Sequence, residues 1–207
     1  ACAGRSSHKL SQRVGLEVDK ARSEVRKIIN AKENAEIIFT RNATESINLV
    51  ANSLGIKAGD EVIISDKEHN SNLIPWLKLK KIGVQVNACK SNKDNTFNLE
   101  NFKKAFTKNT KLAAVAQISN LDGVENPIKE ICKIAHKNNS LILVDGAQSF
   151  GHIEVDVRDL DVDFFAFSGH KALGPTGVGV LYGKKNLLEK MEQFIVGGGS
   201  VVDSTCK

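Results

Sequence analysis

Asp163-Phe-Phe-Ala-Phe-Ser-Gly-His-Lys171, continued by Ala-Leu-Gly-Pro-Thr-Gly-Val-Gly-Val180, is the stretch that decides the fold of this 207-residue chain. Phe164 to Phe167 is short and wholly apolar, as a strand covered on both faces should be. It runs into a loop of small residues that carries a lysine. Such a loop is a poor place for a solvated charge. Burial lowers the pKa of an amine and leaves the neutral nitrogen available to attack an aldehyde. Gly169, Gly174, Gly177 and Gly179 let the backbone approach a bound group closely.

Outward from this stretch, strands and helices alternate. Leu10, Val14, Val18, Ala21, Val25 and Ile28 recur at helical spacing. A strand follows at 36–40, then a helix opened by Thr44 and closed by Gly55. Strand 62–65 leads through a polar loop, 66–70, to a helix over 72–82 with Pro75 in its first turn. Further strands are expected at 84–89, 112–118, 141–144, 164–167 and 178–182. Helices are expected at 99–107, from the Asn126 cap and Pro127 to about 138, and at 186–195. Alternation of this kind implies an α/β fold, three layers deep, with a mostly parallel sheet between helices. No internal repeat interrupts it, and Gly197 to Ser200 is the one candidate linker. The chain reads as a single domain, 1–207.

Ligands of open α/β sheets bind at the carboxyl ends of the strands. The expected strand ends carry Thr44, then Glu68 and His69, then Ser119 and Asn120, then Asp145 and Gln148, then Ser168, His170 and Lys171. These comprise acids, amides, hydroxyls, two histidines and a lysine, all gathered on one edge.

Composition narrows the alternatives. The net charge of +5 is spread over scattered lysines, without a basic stripe interleaved with aromatics, so a nucleic-acid surface is not expected. No apolar run approaches the length of a bilayer span, and the first residues have no signal-peptide core. Cys2, Cys89, Cys132 and Cys206 form no CxxC motif, so neither a metal site nor a disulfide framework is expected, and a reducing, cytoplasmic location fits. Cys132 falls on the apolar phase of its helix, and Cys206 lies in the tail.

The Ser168-Gly-His-Lys171 string, with its preceding aromatic strand and following Gly-x-Gly, resembles the lysine-attachment signature of the class V aminotransferase family. Arg41-Asn-Ala-Thr-Glu-Ser-Ile-Asn48, Glu68-His-Asn-Ser-Asn72 with Pro75-Trp76, Ser119-Asn120 and Val144-Asp-Gly-Ala-Gln148 extend the likeness over nearly all of the chain. Within the family it is most similar to cysteine desulfurases and selenocysteine lyases. The resemblance implies the large domain of the fold type I pyridoxal-phosphate enzymes, with pyridoxal 5'-phosphate as cofactor.

Residue roles are implied with it. Lys171 corresponds to the lysine that carries the cofactor as a Schiff base and moves the substrate's Cα proton. Asp145 corresponds to the partner of the pyridine nitrogen. His69 corresponds to the histidine that stacks on the ring and moves protons, while Asn120 and Gln148 bond its phenolic oxygen. Thr44, Ser168 and His170 correspond to phosphate ligands. Ala43 and Asn70 depart from the pattern, standing where a second hydroxyl residue and a second histidine are common.

The family is about twice as long. The resemblance therefore implies that a small C-terminal domain, a carboxylate-binding arginine and a sulfur-accepting cysteine lie outside this chain, which alone is not expected to desulfurate efficiently. The implied reaction turns L-cysteine into L-alanine and hands the sulfur to that cysteine, feeding iron–sulfur cluster or other sulfur-transfer pathways. A homodimer and a sulfur-acceptor protein are implied partners. Two alternatives stay open: another class V reaction (aminotransferase, kynureninase-like or epimerase), or an inactive fragment serving assembly.

Overall fold

The computed structural model describes residues 8–197. Cys2, Cys206 and most of the Gly197–Ser200 stretch lie outside them. The described residues form one seven-stranded sheet. Its strands are β1 (Ile37–Thr40), β2 (Glu61–Ser65), β3 (Gln85–Cys89), β4 (Thr110–Ala116), β5 (Leu141–Asp145), β6 (Phe164–Ser168) and β7 (Gly179–Gly183), in the order β1-β7-β6-β5-β4-β2-β3. Every pairing from β3 to β6 is parallel. β7 runs antiparallel to both β6 and β1. The mixed, mostly parallel α/β sheet agrees with the expected class.

Helices α1 (Lys9–Ile28), α2 (Ala43–Ser53), α3 (Asn70–Leu79), α4 (Leu99–Ala105), α5 (Ile128–Lys137) and the short α6 (Lys185–Leu188) complete the fold. Alternation along the strands divides the core in two. Val62, Ile64, Leu112, Ala114, Leu143, Phe164 and Ala166 meet Ile47, Val50 and Ala51 of α2 and Trp76 and Leu79 of α3. Ile63, Ala113, Val115, Ile142, Val144, Phe165 and Phe167 meet Phe102 of α4 and Ile131, Cys132 and Ala135 of α5. The period-two pattern thus commits each strand residue to one helix layer. Cys132 is packing, as its helical phase indicates.

Four local expectations are corrected. The cap of α2 is Asn42, whose side chain accepts from the Glu45 N–H, so Thr44 is the second helical residue and does not open the helix. Helix α3 begins at Asn70 because the His69 ring caps it, which puts Pro75 in the helix interior. There the proline lacks the N–H that an interior position supplies to the ladder. Asn126 does not cap α5: its amide donates to the Ala116 carbonyl, and Pro127 stands at the cap. The helix expected over 186–195 stops at Leu188, and the Glu192 N–H is given to the Ser53 carbonyl at the end of α2.

The site edge of the sheet is built by close backbone approach. A Cβ on Gly179, the first residue of β7, would lie 2.5 Å from the Asn42 Cα and 2.7 Å from its N and C atoms. The cap of α2 therefore rests directly on this glycine. Gly179→Ala is expected to destabilise the fold by about 1–3 kcal/mol through overpacking, measured by urea denaturation; a neutral substitution would show that α2 does not depend on this contact.

Candidate active site

The carboxyl ends of the parallel strands open into a cavity of about 310 Å³, at the small end of the ~300–1,000 Å³ typical of ligand pockets. Thr44, His69, Asn120, Asp145, Gln148, Ser168, His170 and Lys171 all line it. Of the residues singled out from the strand ends, these eight are brought to one place, whereas Glu68 and Ser119 do not line the cavity. Asn42, Ala43, Ser71, Ala116, Ile118 and Ala147 complete the wall. Lys171 is half-buried on this wall, and not enclosed as its apolar flanks suggested.

Asp145 is the last residue of β5 and is 5% exposed. One oxygen accepts from the Ala147 N–H at 2.9 Å. Among the described residues that is the one hydrogen bond to its carboxylate. Burial pushes its pKa up, opposed by the Ala147 N–H and by the charge of Lys171. A buried carboxylate with an unused oxygen toward a cavity favours a cationic or N–H partner.

Across the cavity, the start of α2 presents donors. The Ala43 N–H is bound by Ser168 Oγ at 2.8 Å, which ties the helix to the end of β6 and leaves the Ser168 proton to give. The Thr44 N–H takes no partner among the described residues. A free N–H at a helix start beside two hydroxyls is the chemistry that holds a phosphate.

His69 closes the wall from the start of α3. Its Nδ1 accepts from the Ser71 N–H at 3.1 Å and lies 3.0 Å from Ser71 Oγ. A backbone N–H can only donate, so Nδ1 bears no proton and the neutral ring carries its hydrogen on Nε2.

Beneath His69 lies a network that reading by residue type underrates. The Glu68 carboxylate accepts from Ser65 Oγ at 2.5 Å, the Asn72 amide at 2.6 Å and the Ala116 N–H at 3.0 Å. Asn72 accepts in turn from the Trp76 indole at 3.1 Å. Asn72 and Trp76, four residues apart, share one face of α3, and Glu68 reaches Asn72 from just before the His69 cap. The residue as a whole is only partly buried, yet both carboxylate oxygens are turned inward onto donors. Burial is the main cause of a pKa raised to about 7, and the nearby Asp145 charge adds to it.

The Aminotransferase class-V sequence profile matches residues 1–206. The chain belongs to the class V aminotransferase family. A relative in Halalkalibacterium halodurans, named a probable cysteine desulfurase, is 47% identical over 196 residues, covering 90% of this chain and 48% of that protein. A cysteine desulfurase of Shigella sonnei is 43% identical over 206 residues, covering 98% of this chain and 50% of that protein. Among solved structures, the apo cysteine desulfurase of Thermococcus onnurineus NA1 superposes with a TM-score of 0.91 at 39% identity, over 98% of this chain and 51% of that one. The Escherichia coli cysteine desulfurase CsdA gives 0.89 at 37%, over 99% and 52%. These neighbours have the type I fold of pyridoxal-phosphate enzymes. This chain spans about half the length of the curated relatives it matches.

Class V aminotransferases depend on pyridoxal 5'-phosphate, and the residues present fit that group. A buried carboxylate faces the cavity from one side, a free helix-start N–H with Ser168 and Thr44 faces it from another, and a lysine stands on the wall between. The Glu68 network yields a separate expectation. Glu68→Gln sets an amide NH2 against either the Asn72 amide or the Ala116 N–H. It should cost about 1–3 kcal/mol by leaving a buried donor unpaired. Wild-type Glu68 has its folded-state pKa raised above its ordinary value of 4.5 to about 7. Its contribution to stability is therefore complete below about 4.5 and declines as pH rises to about 7, whereas glutamine does not titrate. Urea denaturation of both proteins across this window should show the gap between them narrowing; a gap that widens refutes the assignment.

Proposed function

We propose that this chain is the cofactor-binding large domain, residues 1–207, of a pyridoxal-phosphate-dependent cysteine desulfurase. The observation that carries the reading is the cavity shared by Lys171, Asp145 and the start of α2, in a chain 42–47% identical to proteins named cysteine desulfurase. When bound, pyridoxal phosphate supplies an electron sink for the charge left on the substrate's Cα.

The chain's own residues divide the remaining work. Lys171 Nζ would hold the cofactor covalently and, as a free amine, would take the Cα proton. The Asp145 carboxylate pairs with the protonated pyridine nitrogen and keeps the proton there. This pairing also relieves the unfavourable burial of Asp145 alone. The Thr44 N–H and hydroxyl, Ser168 Oγ and His170 hold the phosphate. Gln148 and Asn120 hold the phenolic oxygen. His69, with its hydrogen on Nε2, faces the ring as a donor.

The substrate in this reading is L-cysteine. Its sulfur passes to a cysteine thiolate outside this chain, leaving alanine, and then to an acceptor protein in iron–sulfur cluster or related sulfur delivery. A homodimer is part of the reading. The apolar groove of about 740 Å³ that Leu10, Val14, Val18, Phe39 and Val178 leave open along α1 and β1 supports a covering partner there. Cys89 and Cys132 are free buried thiols, which supports a reducing, cytoplasmic compartment.

In the full-length protein, added pyridoxal phosphate should produce visible absorption, and borohydride followed by peptide mapping should place the cofactor on Lys171. L-Cysteine should then yield alanine and, with reductant, sulfide. Lys171→Ala should abolish the labelling and lower turnover by at least about 10²-fold. Labelling at another lysine overturns the cofactor assignment, and a keto acid in place of alanine overturns the reaction.

A further inference from the structure

Ser71 lines the cavity from the second position of α3, between two groups already described. Its Oγ lies 2.8 Å from Thr44 Oγ1 on α2 and 3.0 Å from His69 Nδ1. The cap fixes one role in this row. The Ser71 N–H occupies Nδ1 as donor, so Nδ1 has no hydrogen to offer the Ser71 hydroxyl. Toward Nδ1 the hydroxyl can only donate, and when it does its lone pairs receive the Thr44 hydroxyl. One arrangement of the row runs Thr44 O–H to Ser71 O–H to His69 Nδ1; in the other the Ser71 hydroxyl donates to Thr44 Oγ1.

An anion at the start of α2 competes for the first hydrogen of that row. A hydrogen bond to a charged oxygen is roughly twice as strong as one between neutral groups. Thr44 therefore turns its hydrogen to the anion and exposes a lone pair to Ser71. The Ser71 hydroxyl then has a better acceptor in Thr44 Oγ1, and Nδ1 is left with the backbone N–H alone. Ala43 has no hydroxyl to join this exchange, so Thr44 is the hydroxyl on α2 that reaches Ser71.

We propose that Ser71 is a positioning residue that couples phosphate occupancy at the start of α2 to the hydrogen bonding of the His69 ring. This rests on reading the cavity as a pyridoxal-phosphate site. Through Ser71, a filled phosphate cradle alters the electron density at Nδ1 and so the donor strength of Nε2–H on the cavity side. Among the described residues Ser71 shares no hydrogen bond with Asp145 or Lys171, so the cofactor's attachment point does not depend on it.

The test uses the full-length protein without cofactor, with inorganic phosphate as the probe and the nitrogen NMR resonances of His69 as the readout. Phosphate should move the wild-type Nδ1 resonance. Ser71→Ala should remove most of that response and weaken phosphate by about fivefold, the equivalent of one hydrogen bond of ~1 kcal/mol. Ser71→Thr, which keeps the hydroxyl, should restore both. An undiminished Nδ1 response in Ser71→Ala, or no rescue by threonine, overturns the coupling. Parallel addition of pyridoxal phosphate to the wild type separates the two ideas. Visible absorption with an unaltered response in Ser71→Ala sinks the coupling and leaves the cofactor reading standing, whereas no absorption in the wild type sinks both.

Discussion

A carboxylate held where its charge is disfavoured governs this structure. Asp145 ends β5 in the middle of the sheet, enclosed by β4 and β6, and burial raises its pKa against one backbone hydrogen bond. The chain then has to leave the sheet at once. Gly146 makes that turn, and a Cβ there would lie 2.0 Å from the Phe165 ring. The aromatic packing of β6 that marks the lysine loop in the sequence is thus the packing that forces a glycine after the acid. Around this point the sheet edge gathers groups that offset the charge: the Ala147 N–H after β5 and Lys171 after β6 both lower the Asp145 pKa. The opposite cradle, at the start of α2, is positively polarised by its free N–H. A ligand that is cationic at one end and anionic at the other meets complementary fields at both.

How much of this was legible in the sequence depends on how local the cause is. The lysine loop, the apolar strands and the acids and amides beyond them are consequences of short-range pattern, and they were placed correctly. What was not legible is set by contacts distant in sequence. Nothing local says that β7 runs antiparallel between β1 and β6; that follows from the return of the chain after Lys171 to lie on Asn42. Asn126 reads as a cap beside Pro127, but the Ala116 carbonyl claims its amide. Pro75 reads as a first-turn proline because proline is at home there, yet the His69 ring starts the helix earlier than a serine or asparagine signal would have marked. Thr44 was assigned the right cavity with the wrong local job, since Asn42 does the capping.

The same distinction explains why Glu68 and Asp145 are not equivalent. Burial raises both pKa values, and type and placement alone would make either a candidate partner for a ligand cation. Their hydrogen bonds separate them. Glu68 spends its oxygens on Ser65, Asn72 and Ala116, so its work is to fasten the start of α3, and with it His69, to the ends of β2 and β4. Asp145 keeps an oxygen unspent at the cavity wall. Because each carboxylate's charge disfavours the other's, a cation that pairs with Asp145 also eases the ionisation of Glu68. The acid that faces the ligand and the acid that anchors the histidine are therefore parts of one electrostatic unit, and the half-filled hydrogen-bond complement of Asp145 is what gives that unit its direction.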